Sequence, residues 1–362
     1  MMSKTVHHLS HTDLDGYSAQ LIMKYTPYSM SYYNANYGAE VGERISQILE
    51  AIKEQKNDAT ILISDLNLTM DEAKSLNKEV DRINETSKMS VTILLLDHHG
   101  SGEDCAKKFE WYYLDTHRCA TKIVYDYVKV NFEFDEPTWM CEYVNAVNAV
   151  DLWKQEEVEN FEYGKVCMRL IYETRELNRV MFASSDHEYK TQLLINAAQM
   201  INHDNANIAL DESIHRMKKE FFKVDKDDTL DNLATNKIVK LLSEQKANNT
   251  IYYKNYKGYM SYGVGNTSIV GNGFLVANDD YDFIVDVSSR GTMGFRANNK
   301  VDVSLIAKEL GNGGGHPNAS GGRMQGFKEQ FRYDKAKAQV LNAIDKAEAT
   351  AGKLEFKKET LS

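Results

Sequence analysis

At 362 residues the chain is longer than one hydrophobic core comfortably serves, so two domains are expected. Hydrophobic residues make up 42% and charged residues 27%, the balance of an ordinary globular protein. The formal net charge of -10 argues against a protein that tracks long nucleic acid with a basic face, and favours a small anionic substrate.

In chain order, Val6-His7-His8-Leu9 predicts a strand that runs into His11-Thr12-Asp13-Leu14-Asp15-Gly16, and Ser18 to Lys24 reads as helix. Ser31 to Asn34 predicts a second strand. Val41 to Lys53 predicts a helix whose apolar positions are Val41, Ile45, Ile48, Leu49 and Ile52. Thr60-Ile61-Leu62-Ile63-Ser64 is a strand ending at Asp65. A helix then opens near Thr69, with Asp71 and Glu72 suited to its N-terminal dipole. Val91 to Leu96 is an apolar strand that delivers Asp97-His98-His99, closed by Gly100, and Glu110 to Leu114 is another strand. Strands separated by helices of this size give a parallel sheet with helices on both faces.

Residues 137 to about 245 read as mostly helical, with Pro137 in a first turn and Trp139 to Trp153 unbroken. From Thr250 the composition changes. Thr250 to Tyr253, Tyr259 to Tyr262, Phe283 to Val287 and Met293 to Arg296 are strand-like and separated by turn residues. A last helix from Tyr333 is expected to end at Gly352. The expected fold class is α/β: a parallel-sheet domain over residues 1–186, a helical connection over 187–247 and a smaller α+β domain over 248–362. Cys105, Cys119, Cys141 and Cys167 show no C-x-x-C spacing, which argues against zinc-finger chemistry and suits a reducing compartment. No apolar leader precedes the first strand and no stretch has the length of a membrane span, so a cytoplasmic location is expected.

Three predicted strands each end on acidic residues, and in an open α/β sheet such ends meet at one edge. Asp13 and Asp15 beside His11, then Asp65, then Asp97-His98-His99, with Asp151 late in a helix, would gather there. Hard carboxylates with imidazoles suit Mn²⁺ or a similar divalent ion, and two ions could share a carboxylate. Each aspartate alone has a plainer reading as a helix cap. The glycine cluster Gly313-Gly314-Gly315-His316 offers backbone N–H groups to an anion, and Arg296 a bidentate fork for phosphate. Glycine runs also make ordinary turns. Asp115-Thr116-His117-Arg118 reads more readily as capping than as substrate contact, and Ser288-Ser289-Arg290 is open between turn and phosphate contact.

The three motifs His11-Thr12-Asp13-Leu14-Asp15-Gly16, Asp97-His98-His99 and Gly313-Gly314-Gly315-His316 stand in the order found in the DHH phosphoesterase superfamily, which the sequence resembles over nearly its whole length. It is most similar to the nanoRNase-type members, which cut very short oligonucleotides and dinucleotides. Some of these also remove the 3′-phosphate of 3′-phosphoadenosine 5′-phosphate. The resemblance implies that His11, Asp13, Asp15, Asp65, Asp97 and Asp151 are metal ligands and that His98 is a ligand or close neighbour. It further implies that His99 polarises the reacting phosphate, while Arg296 and the Gly313–His316 segment hold substrate. One place departs: many members carry a second carboxylate six residues after the motif histidine. Here that place is Tyr17, and Asp13 supplies a carboxylate two residues after His11.

The expected activity is therefore Mn²⁺-dependent hydrolysis of short oligonucleotides or linear dinucleotides such as pApA and pGpG. The rivals are a 3′-phosphoadenosine 5′-phosphate phosphatase, a single-strand exonuclease and a nucleotide-sensing protein without turnover. Neither long nucleic acid nor a membrane is an expected partner, and the oligomeric state, homodimer included, is left open.

Overall fold

The computed structural model describes residues 5–132 and 134–359, in two compact units. One contains the residues up to Arg175 with His187–Phe221. The other contains Glu176–Asp186 with the residues from Phe222 onward.

In the first unit the chain runs β1 (Thr5–Ser10), α1 (Leu14–Met23), β2 (Ser29–Asn34), α2 (Ala39–Gln55), β3 (Ala59–Ser64), α3 (Met70–Thr86) and β4 (Val91–Asp97). It continues through α4 (Glu103–Lys108), β5 (Tyr112–Leu114), α5 (Ala120–Asn131), α6 (Met140–Asp151), α7 (Val158–Glu173), α8 (Ala183–Met200), which belongs to this unit from His187, and α9 (Ala206–Phe222), which belongs to it as far as Phe221. The sheet order is β2-β1-β3-β4-β5 and every pairing is parallel. Alternation along the strands divides the faces. Leu9, Ile61, Ile63 and Leu95 meet the buried stripe of α2 (Val41, Ile45, Ile48, Leu49, Ile52) and that of α3. On the opposite face His8 and Tyr32 meet His187 of α8, which also touches Tyr17 of α1. Thr69 and Glu72 form a reciprocal capping box that fixes the start of α3. Because β1 has β2 on one side and β3 on the other, the chain reverses its winding at β1, where the carboxyl ends leave a crevice.

The second unit adds α10 (Leu230–Glu244), α11 (Lys246–Asn249), β6 (Thr250–Tyr253), β7 (Tyr256–Tyr262), α12 (Thr267–Ala277), β8 (Phe283–Val287) and β9 (Thr292–Ala297). It ends with α13 (Val303–Gly311), β10 (Gly314–His316), β11 (Ala319–Arg323) and α14 (Tyr333–Glu359). Its sheet is mixed, ordered β10-β11-β9-β8-β7-β6, with only β7 and β8 parallel.

Within the 187–247 stretch expected as a helical connection, α10 packs on α12 of the second unit. Two local expectations are corrected. Pro137 lies in a turn before α6, where its carbonyl accepts from the Met140 amide. The last helix runs through Gly352 to Glu359. No helix among the described residues is long and apolar enough to cross a membrane.

Candidate metal centre

The carboxyl edge of the first sheet gathers the predicted residues into two groups that share Asp65. In the first, His11 Nδ1 lies 2.8 Å from Asp13 Oδ2 and 3.8 Å from Asp65 Oδ2. In the second, His98 Nε2 lies 3.3 Å from Asp65 Oδ1, 3.7 Å from Asp15 Oδ2 and 3.7 Å from Asp151 Oδ2.

The motif around His11 folds as it does for packing reasons as well as chemical ones. Asp13 caps α1, its Oδ1 accepting from the Gly16 amide at 3.1 Å. A Cβ at Gly16 would overlap the His11 backbone, so only glycine lets the helix start this close. Asp15 accepts from the amides of Ala120 and Thr121 at 2.7 and 2.8 Å, which anchors the start of α5 to the same edge. Asp65 holds a left-handed backbone (φ 56°), costly for a non-glycine residue and typical of a functional turn. Asp13 and Asp15 thus each hold a helix start while standing at the carboxylate edge.

These side chains are poorly satisfied without a cation. Asp65 Oδ2, Asp151 Oδ2 and His98 Nε2 are shut off from solvent and have no hydrogen-bond partner. Burial pushes the Asp65 carboxyl well above its ordinary range, and the charges of Asp13, Asp15 and Asp151 push it further. Burial, then Asp15 and Asp13, raise Asp151 to about 9. Burial likewise holds the His98 imidazole below its usual value, against the pull of Asp15. Asp13 is the exception: burial raises it, but the His11 hydrogen bond and charge and the Gly16 amide bring it down to about 2. Like charges crowded together in a buried site resist ionising unless a cation joins them. The donor set, carboxylates with imidazoles, fits a hard or borderline divalent ion.

Asp97 stands apart from this convergence. It is fully buried, and both of its oxygens are engaged: Oδ1 with His99 Nδ1 at 2.7 Å, Oδ2 with the Tyr112 hydroxyl at 2.7 Å. Its carboxylate thus bridges His99 and Tyr112. Burial would depress the His99 pKa, but the hydrogen bond and charge of Asp97 raise it. Tyr17, the point of departure from the common motif, is a fully buried core ring outside the carboxylate cluster. Two residues escaped the sequence reading. The Cys119 thiol falls within ligand distance of Asp15 and Asp151. The Tyr37 hydroxyl lies 3.2 Å from His99 Nε2. Neither carries a strand-end signal in the sequence.

In the second unit the glycine cluster is a hairpin. Register aligns His316, Ala319 and Arg296 in one row and Gly314, Gly321 and Gly294 in the next, on the same sheet face. The result is a side-chain-free strip bordered by Arg296 and His316. Gly315 has φ 146°, and a Cβ there would press on the Ala319 carbonyl and Ser320. Arg296 is held in place, donating to the Phe295 carbonyl at 2.6 Å and to the Ser268 hydroxyl. Asp115 folds an Asx turn on the His117 amide and pairs with Arg118, a structural role.

Fold and site together define an α/β protein with a carboxylate–imidazole centre of the kind used in hydrolysis. No protein-family model matches the chain. A 3′,5′-cyclic-nucleotide phosphodiesterase of Helicobacter pylori is 43% identical over 347 residues, covering 94% of this chain and 99% of the relative. Oligoribonuclease NrnB of Bacillus subtilis is 23% identical, covering 87% of this chain and 72% of the relative. The crystal structure of an uncharacterized protein from Helicobacter pylori G27 superposes with a TM-score of 0.88 at 42% identity, covering 94% of this chain and 99% of that one. The chain belongs to the DHH phosphoesterase superfamily.

Proposed function

We propose that this chain is a phosphodiesterase that hydrolyses short oligonucleotides or linear dinucleotides, such as pApA and pGpG, to 5′-mononucleotides. The observation that carries the reading is the pair of ligand groups sharing Asp65, with three buried atoms left unpartnered. His11, Asp13 and Asp65 would hold one divalent ion, and Asp15, Asp65, His98 and Asp151 the other, with Mn²⁺ suited to both. When bound, such ions lower the pKa of water and neutralise charge developing on the phosphate.

The chain's own residues supply the rest. Hydrolysis adds water across the P–O3′ bond, leaving a 5′-phosphate on one nucleotide and a 3′-hydroxyl on the other. Asp97, fixed by Tyr112, pairs with His99 Nδ1 and favours the imidazolium, whose Nε2–H can donate to a phosphoryl oxygen. Arg296, the glycine strip and His316 form the anion-holding face of the second unit.

A second reading follows from the 43% identical relative: hydrolysis of 3′,5′-cyclic mononucleotides. The bond cleaved is again P–O3′, so one centre can serve both substrates. The deciding experiment is turnover of pApA, pGpG, 3′,5′-cyclic AMP, 3′-phosphoadenosine 5′-phosphate and a 25-mer (roughly five times the smallest single-strand site) with added Mn²⁺. The main reading predicts fastest release of 5′-mononucleotides from the dinucleotides. Faster cyclic AMP turnover would favour the second reading, and no turnover of any phosphodiester would remove both.

A further inference from the structure

Tyr37 lies in the loop between β2 and α2, at the same carboxyl edge as His11, Asp65 and His99. Its ring sits 5.1 Å from that of His11 and meets that of His99 edge-on at 5.8 Å, so it spans the two imidazoles that bound the site. Its hydroxyl lies 3.2 Å from His99 Nε2 and 3.3 Å from Nδ1. The phenol oxygen is thus almost equidistant from the two ring nitrogens, of which Nδ1 already pairs with Asp97. Tyr37 is 44% exposed, and the His99 side chain 33%, unlike Asp97 and Tyr112, which are buried behind them. Two polar groups from different elements, the Tyr37 hydroxyl and the His99 imidazole, thus meet at an open edge beside the carboxylate groups. A neutral phenol suits such a place, since it donates to an anionic oxygen without adding a charge that would repel a bound cation.

We propose that Tyr37 is a catalytic residue: its hydroxyl donates to a non-bridging phosphoryl oxygen of the substrate, which lodges beside it and His99. The proposal deepens the phosphodiesterase reading and rests on it. A purely structural alternative would have Tyr37 only steady the His99 ring.

The test is Tyr37→Phe assayed on pApA with Mn²⁺, beside pApA whose scissile phosphate carries sulfur at one non-bridging position, as separated diastereomers. Loss of the donor should lower kcat about 10–100-fold with Mn²⁺ affinity unchanged, because no ligand is removed. The wild type should discriminate against sulfur in one diastereomer, and Tyr37→Phe should lose most of that discrimination. Wild-type kcat in Tyr37→Phe, or a lower kcat with the sulfur discrimination intact, overturns the proposal; the latter places the phenol on His99 alone. If the wild type cleaves no phosphodiester, the functional reading fails separately. The phenol is then judged by calorimetric binding of 5′-AMP: about tenfold weaker binding in Tyr37→Phe upholds the contact, and equal affinity overturns it.

Discussion

Asp65 and Asp97 are each the last acidic residue of a strand motif, yet their surroundings differ. Asp65 is shared by both ligand groups, whereas Asp97 spends both oxygens on His99 and Tyr112. Asp65→Asn should therefore abolish high-affinity Mn²⁺ binding and turnover together. Asp97→Asn should keep metal binding and lower kcat about 10–100-fold, the usual cost of losing a supporting hydrogen bond. Calorimetric Mn²⁺ titration with steady-state kinetics separates the two. Lost metal affinity in Asp97→Asn would make it a ligand after all. The strand-end positions were legible in the sequence because buried parallel strands read as apolar runs with abrupt polar ends. The role of Asp97 was not, because Tyr112 reaches it only through the pairing of β4 with β5.

The same residues set a pH dependence. A carboxyl whose folded pKa exceeds its unfolded value binds more protons in the native state, so it costs stability as pH rises between the two values. For the metal-free protein that window opens near about 4 and extends, for Asp151, to about 9. Asp65 adds in the same direction, whereas Asp13, at about 2, has finished titrating below it. The gain in Tm on adding Mn²⁺ should therefore grow from pH 5 to pH 8 (an interval inside the roughly 4–9 window). Thermal scans with EDTA or with Mn²⁺ check this, and a gain that shrinks with pH would contradict it.

Among the elements, the β10–β11 hairpin is the most instructive. Glycines carry little strand propensity, so no strand was expected at this anion-binding glycine run, and the ladder to β9 is set by tertiary pairing. A Cβ at Gly313 would overlap the Gly321 carbonyl, whereas one at Gly314 meets nothing within 4 Å. Gly313→Ala should cost about 1–3 kcal/mol of stability. Gly314→Ala should change stability by less than about 0.5 kcal/mol, the range of an ordinary surface change. If the glycine strip receives substrate, Gly314→Val should nevertheless raise KM. Arg296→Ala should lower kcat/KM about 10–100-fold with metal binding intact, from loss of a charge-assisted pair. Urea melts and kinetics of these variants decide the matter. Normal kinetics in both Arg296→Ala and Gly314→Val would remove the second unit from substrate binding.

For the whole molecule, alternating strands and helices made the first unit readable, and the change of composition at Thr250 marked the second sheet. The division into units was harder to see, since Glu176–Asp186 belongs with the second unit although the chain returns to the first at His187. Helical periodicity does not report which neighbour a helix packs against. The net charge of -10 disfavours a long polyanion. Turnover should fall steeply beyond about five nucleotides, by analogy with the smallest single-strand sites. Equal rates on pApA and a 25-mer (roughly five times that limit) would indicate an exonuclease.

The central claim is that phosphodiester cleavage depends on divalent ions held by the two groups meeting at Asp65. The most direct test is the rate of pApA cleavage as Mn²⁺ is titrated into EDTA-dialysed protein. The account predicts a rate that rises from background and saturates as the second equivalent of Mn²⁺ binds. A full rate in the metal-free protein would contradict it.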